Sequence, residues 1–148
     1  MVNALRQLQL DDLCLHQVTL SGQCDFANSL AVLRNAGIKR TALWTPMINS
    51  CGISEAKRIW DSAGMTAESL CVACLFEDEA LLRKQLDLSD MFGARTLVII
   101  TGGFEALKSA GHDGDIDYAR SLLVERLALA AELADSYRVR LAFEPLHP

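Results

Sequence analysis

The sequence has no run of lysine and arginine. Nucleic-acid binders usually present such a basic face, because phosphate neutralisation supplies much of their affinity. With a net charge of −5 and a pI near 5.1, the balance runs the other way and argues against DNA, RNA or an anionic membrane surface as partner. The segment from Met1 to Asp12 lacks the basic-then-apolar order of a signal peptide. The longest strongly apolar run, Leu97 to Ile100, is far too short to cross a bilayer. These absences lead to the expectation of a soluble, cytoplasmic protein. Several catalytic motifs are missing as well. There is no Walker loop, no GxGxxG after the first candidate strand, no GxSxG elbow and no HExxH helix. Nor is there a long polar tract that would read as disorder.

What is present suits a folded domain: 148 residues, of which 51% are hydrophobic and 22% charged. The cysteines are Cys14, Cys24, Cys51, Cys71 and Cys74. An odd count without a secretion signal points to reduced thiols. Cys71 and Cys74 are formally a CxxC, but they fall in an apolar, strand-like stretch and not at a helix start, where a redox thiol is activated. They read as small core residues.

Short apolar runs alternate with helical stretches. Leu13–Leu20 is the first expected strand. Asp25 then caps a helix with Phe26, Leu30 and Leu33 on one face, closed by Gly37. Arg40–Trp44 is the second strand. Ser54 is the expected cap of a second helix carrying Ala56, Ile59, Trp60 and Ala63, closed by Gly64. Ala67–Cys74 is the third strand. Asp78 opens a third helix with Leu82, Leu86 and Phe92, closed by Gly93. Arg95–Thr101 is the fourth strand, apolar on both faces as a doubly covered strand should be. A polar loop, Phe104 to Gly114, precedes a long helix opened by Asp115 or Asp117 and striped with Leu123, Leu127, Ala130 and Ala134. Val139–Glu144 is the last strand.

Gly37, Gly64 and Gly93 recur at about 30 residues, the length of one unit of a (β/α)₈ barrel. Strand-helix alternation makes this an α/β chain with a parallel sheet, five strands and four helices, and no internal linker. A free-standing doubly wound sheet fits that count. So does a little over half of a barrel.

Both architectures place ligands at the C-terminal ends of the strands. Those ends offer His16, Gln17 and Thr19; Trp44 and Thr45; Cys74; Gly102 and Gly103; and Glu144, with His147 beyond it. Glu144 is the most informative. A carboxylate closing the apolar run Leu141-Ala142-Phe143 needs a cation, a hydrogen-bond network or solvent. His147 reads as ligand, proton carrier or solvated loop residue, and His16 as a barrel-lumen or core histidine. Gly102-Gly103 permits close backbone approach to a ligand. Trp44 offers a ring to the C–H face of a sugar, or fills the core.

Four stretches taken together resemble the sugar phosphate isomerase/epimerase family. They are Leu13–Leu20; Ala36-Gly37-Ile38 leading to Leu43-Trp44; Phe92–Val98 running into Gly102-Gly103; and Leu141–Pro148. These xylose isomerase-like TIM barrels include the inosose dehydratase and hydroxypyruvate isomerase groups. The resemblance covers the chain from about residue 12 onward and is to the N-terminal half of the barrel, so the chain is expected to be a single domain, 1–148, truncated after its fifth strand. It implies metal-dependent isomerisation or epimerisation of a sugar, sugar phosphate or polyol-derived ketone. The cation is Mn²⁺, Mg²⁺, Co²⁺ or Zn²⁺, held by a Glu, an Asp, a His and a second Glu at strand ends. Glu144 matches the first Glu, as metal ligand and catalytic base. His16, Trp44, Gly102, Gly103 and His147 then contact substrate. His16 stands where many relatives have Asn, and the other ligands are expected from later strands. Two alternatives follow: a non-catalytic half barrel serving as a binding or assembly piece, or a doubly wound ligand-binding module. The open edges of a half barrel invite pairing with a second copy, so a homo-oligomer is expected.

Overall fold

The computed structural model describes residues 7–103 and 105–144. The structure divides into two compact units, residues 1–66 and 67–148.

In the first unit, a 3-10 turn (Leu10–Asp12) leads into β1 (Cys14–His16), and a second such turn (Gln17–Leu20) follows. The single strand expected over Leu13–Leu20 is therefore cut to three residues. The cause is local. His16 Nδ1 accepts from the Val18 N–H at 3.0 Å, and the Thr19 hydroxyl donates to the His16 carbonyl at 2.8 Å. Such side chain–backbone bonds compete with the ladder and turn the chain. Next come α1 (Phe26–Asn35), β2 (Arg40–Trp44), α2 (Thr45–Cys51) and α3 (Ile53–Ala63). β1 and β2 pair in parallel, with Cys14 opposite Arg40 and His16 opposite Ala42.

Asp25 caps α1 as expected, its carboxylate accepting from the Asn28 N–H at 2.8 Å. Phe26, Leu30 and Leu33 are each at most 2% exposed. Burying side chains of this size is worth roughly 1.5–3 kcal/mol apiece. Gly37 sits just past the helix with φ +77°, a left-handed conformation that glycine adopts without penalty.

α2 is a correction. Thr45 was expected at a strand end, yet it opens a seven-residue helix with Pro46 in its first turn. Proline is favoured there, since its missing N–H would be unpaired anyway. The cap of α3 is a second correction. Gly52, at φ 87°, precedes the helix, while Ser54 lies exposed inside its first turn. Ala56, Trp60 and Ala63 are buried as the periodicity requires.

β3 (Thr66–Cys74) starts at the last residue of the first unit, where the Thr66 N–H donates to the Lys39 carbonyl at 2.9 Å. The second unit continues with α4 (Glu79–Phe92), β4 (Thr96–Ile100), α5 (Glu105–Ser109), α6 (Ile116–Tyr137) and β5 (Arg140–Phe143). Both pairings are parallel. Leu70 lies opposite Leu97 and Cys74 opposite Ile100, with a bulge between Cys71 and Ala73; Thr96 lies opposite Arg140 and Ile99 opposite Phe143. Asp78 and Asp115 cap α4 and α6 through the backbone N–H groups of Leu81 and Tyr118. The Tyr137 hydroxyl of α6 donates to the Asp87 carboxylate of α4 at 2.7 Å.

The chain is thus α/β, with five strands in parallel pairings and helices between them. The described residues hold six helices, not four, because α2 and α5 were not foreseen. α5 lies in the segment expected to be a polar loop. On β4, Leu97 and Ile99 are fully buried while Thr96, Val98 and Ile100 are half-buried, so its second face is only partly covered by the described residues. No helix among those residues is long and apolar enough to cross a membrane.

Candidate functional site

Two of the expected site residues meet in the first unit. His16 closes β1 and Trp44 closes β2, and parallel pairing sets these ends side by side. Their rings stand edge to face, with centroids 5.7 Å apart and planes at 62°. As an acceptor, His16 Nδ1 directs the proton of the neutral imidazole to Nε2.

Beneath them lies Gln17, which is completely buried. Its Oε1 accepts from the Trp44 backbone N–H at 3.0 Å, and its Nε2 donates to the Ser29 hydroxyl at 2.9 Å. The Ser29 hydroxyl in turn donates to the Phe26 carbonyl at 2.7 Å. Gln17 thereby ties β1, α1 and the end of β2 into one network. A buried carboxamide with both ends bonded fixes its neighbours, because each broken bond would leave a desolvated polar group. The sequence placed Gln17 at a strand end but did not reveal this bracing role.

Trp44 also borders a cavity of about 550 Å³, lined by Asp25, Met47, Cys51, Glu55 and Ile59 among others. That volume suits a small organic ligand. Cavity and network both sit where the chain leaves β1 and β2 for α1 and α2, the strand ends at which α/β folds bind ligands. Helix α2 builds one wall through Pro46, Met47, Ser50 and Cys51. Pro46 was the signal that would have revealed it. Burial, then the charges of Glu55 and Asp25, push the Cys51 thiol up from its ordinary pKa, and Arg58 opposes them less strongly.

In the second unit, Glu144 follows β5 directly and is solvent-exposed. Its N–H donates to the Ile99 carbonyl at 2.8 Å, so the ladder fixes its backbone while the carboxylate reaches past the paired stretch. Gly102 has φ +87°, and a Cβ built there would stand 3.4 Å from the Cys74 Cβ. It thus lies against the end of β3, where Leu75 and Phe76 donate to the carbonyls of Ile100 and Thr101. Gly103 has open space around it. Burial, then Glu77, push the Cys74 thiol up as well, while Cys71 lies in the core at 5% exposure. His147 lies outside the described residues.

The donor set does not fit a complete metal centre. Among the described residues, no three His, Cys, Asp or Glu side chains converge in a way that could hold a cation. Glu144 is the one residue there that matches the ligand set implied by the resemblance.

No protein-family model and no curated protein matches the sequence. Solved structures do. Over 95% of its length the chain is similar to protein SMc04130 from Sinorhizobium meliloti 1021, at 29% identity and a TM-score of 0.78, and it spans 52% of that chain. It is likewise similar to a xylose isomerase domain containing protein from Salmonella typhimurium LT2. There the identity is 12%, the TM-score 0.68, and the coverage 95% of this chain and 52% of that one. The fold is therefore xylose isomerase-like, and the chain spans about half the length of these two structures.

Proposed function

We propose that this chain serves the metal-dependent isomerisation or epimerisation of a sugar, sugar phosphate or related polyol-derived ketone. The observation that carries the reading is a xylose isomerase-like fold with a carboxylate, Glu144, immediately past a barrel-type strand. Strand ends of such folds gather the chemistry of several different strands.

The reaction moves a proton between neighbouring carbons. In isomerisation Glu144 would remove it from the carbon beside the carbonyl and return it, on the same face, to the former carbonyl carbon, while the hydroxyl proton passes to the carbonyl oxygen. Epimerisation would need a second acid on the opposite face, the role of the second Glu that the resemblance implies. A positioned base of this kind contributes about 10²–10⁴-fold. Glu144 would be one ligand of a divalent cation, Mn²⁺, Mg²⁺, Co²⁺ or Zn²⁺, which would supply carbonyl polarisation. The described residues do not provide the rest of its ligand set. Within the first unit by itself, the Trp44 ring at the cavity wall offers an apolar face to the C–H groups of a sugar.

One observation favours a second reading, a non-catalytic binding or assembly piece: the described residues lack a converged ligand set. A single assay separates the two. The protein is incubated in D₂O with candidate ketoses and aldoses, with Mn²⁺ or with EDTA, and carbon-bound deuterium is followed by NMR. Mn²⁺-dependent incorporation supports the enzyme. Binding of sugar without incorporation supports the second reading.

A further inference from the structure

The cavity beside Trp44 has a one-sided charge. Among its lining residues are two carboxylates, Asp25 and Glu55, and no lysine, arginine or histidine. The rest of the lining is apolar, hydroxyl or thiol: the Trp44 ring, the buried Met47 and Phe26, half-buried Ile59, and Ser50. Arg58 approaches from outside this lining and grips Glu55 by both oxygens, at 2.6 and 2.8 Å. Its effect inside is partial, because the Cys51 thiol in the wall feels Glu55 and Asp25 more strongly than Arg58. Among the described residues Asp25 has no cationic partner; its oxygens accept from the backbone and side-chain N–H groups of Asn28.

A half-enclosed aromatic wall with carboxylates and no cation in its lining suits a ligand that has a C–H-rich face and a positive charge. It disfavours a phosphate dianion, which would meet like charge with no donor cluster to compensate. We propose that this cavity binds an amine-bearing sugar or polyol and rejects phosphorylated sugars. The inference concerns the first unit by itself and goes beyond the isomerase reading.

The test is a set of titrations of the full chain at about pH 6, where a sugar amine is protonated. Glucosamine, glucose and glucose 6-phosphate are the probes. The readout is tryptophan fluorescence in a Trp60→Phe background, which leaves Trp44 as the reporter. Glucosamine is expected to bind about fivefold tighter than glucose, a ratio typical of exposed charge pairs, with the phosphate weakest. Asp25→Asn keeps a competent helix cap, and Glu55→Gln keeps the side-chain length. Each should reduce the ratio of glucosamine to glucose affinity, and an unchanged ratio in both variants would overturn the inference. Equal binding of glucosamine and glucose, tightest binding of the phosphate, or no binding of any probe would overturn the inference. Sugar binding without charge preference, together with Mn²⁺-dependent deuterium incorporation, would sink the inference alone. Glucosamine preference without incorporation would sink the isomerase reading and leave the charge preference of the cavity standing.

Discussion

The buried Oε1 of Gln17 accepts the backbone N–H of Trp44 at 3.0 Å, across 27 residues of sequence. This bond fixes the strand end that carries the aromatic wall of the cavity. Gln17→Leu removes it together with the bond to Ser29. Leaving those buried polar groups unpaired costs about 1–3 kcal/mol. Urea unfolding followed by far-UV circular dichroism should show that loss, and the Trp44 emission should shift before unfolding begins.

The glycines make a matched pair for testing backbone strain. Gly93 has φ 71° and open space around its missing Cβ. Gly93→Ala should therefore cost only the left-handed penalty, about 1–2 kcal/mol. Gly102 has φ +87° and faces the Cys74 Cβ at 3.4 Å. The methyl of Gly102→Ala would meet Cys74 in ordinary van der Waals contact, so both variants should lower the midpoint of thermal unfolding by similar amounts. A much larger fall in Gly102→Ala would contradict that.

Asp115 links local structure to pH. The Tyr118 backbone N–H holds its carboxyl below the usual carboxylate range, and His112 adds to the effect. His112 also stacks on the Tyr118 ring, at 3.5 Å between centroids. A carboxyl whose pKa is lowered in the fold stabilises the fold above its unfolded value, about 3.9. That contribution is lost as pH falls through the lower folded value. Asp115→Asn keeps a capping acceptor but cannot titrate. It should flatten the acid limb of a stability-against-pH curve below about pH 4 and leave the neutral region nearly unchanged. An unaltered acid limb would show that Asp115 makes no such contribution.

Leu43 of β2 is completely buried. Leu43→Ala should cost about 2–5 kcal/mol, depending on how far the cavity relaxes. Denaturant titration reads this directly.

Much of the fold was legible because its signals are local. Asp25, Asp78 and Asp115 each cap the helix that the periodicity placed after them. The apolar stripe of α4 is buried as read, and so is one face of β4, through Leu97 and Ile99. Other features escaped because competing local bonds or short length masked them, the five-residue α5 among them. β1 is cut short by the side chains of His16 and Thr19. α2 has too few turns for a period to emerge. α3 starts at a glycine two residues before the expected Ser54. That Glu144 directly follows the last strand was readable from the apolar run Leu141-Ala142-Phe143 before it. The role of Gln17 was not, since it depends on Ser29 and on the Trp44 backbone, both distant in sequence.

The most direct test of the central claim is the rate of Mn²⁺-dependent deuterium incorporation in Glu144→Gln beside the unaltered protein. Gln keeps the side-chain size and removes the base. The account predicts a fall of about 10²–10⁴-fold with the thermal midpoint unchanged, as suits an exposed side chain. An unaltered rate in Glu144→Gln would contradict it.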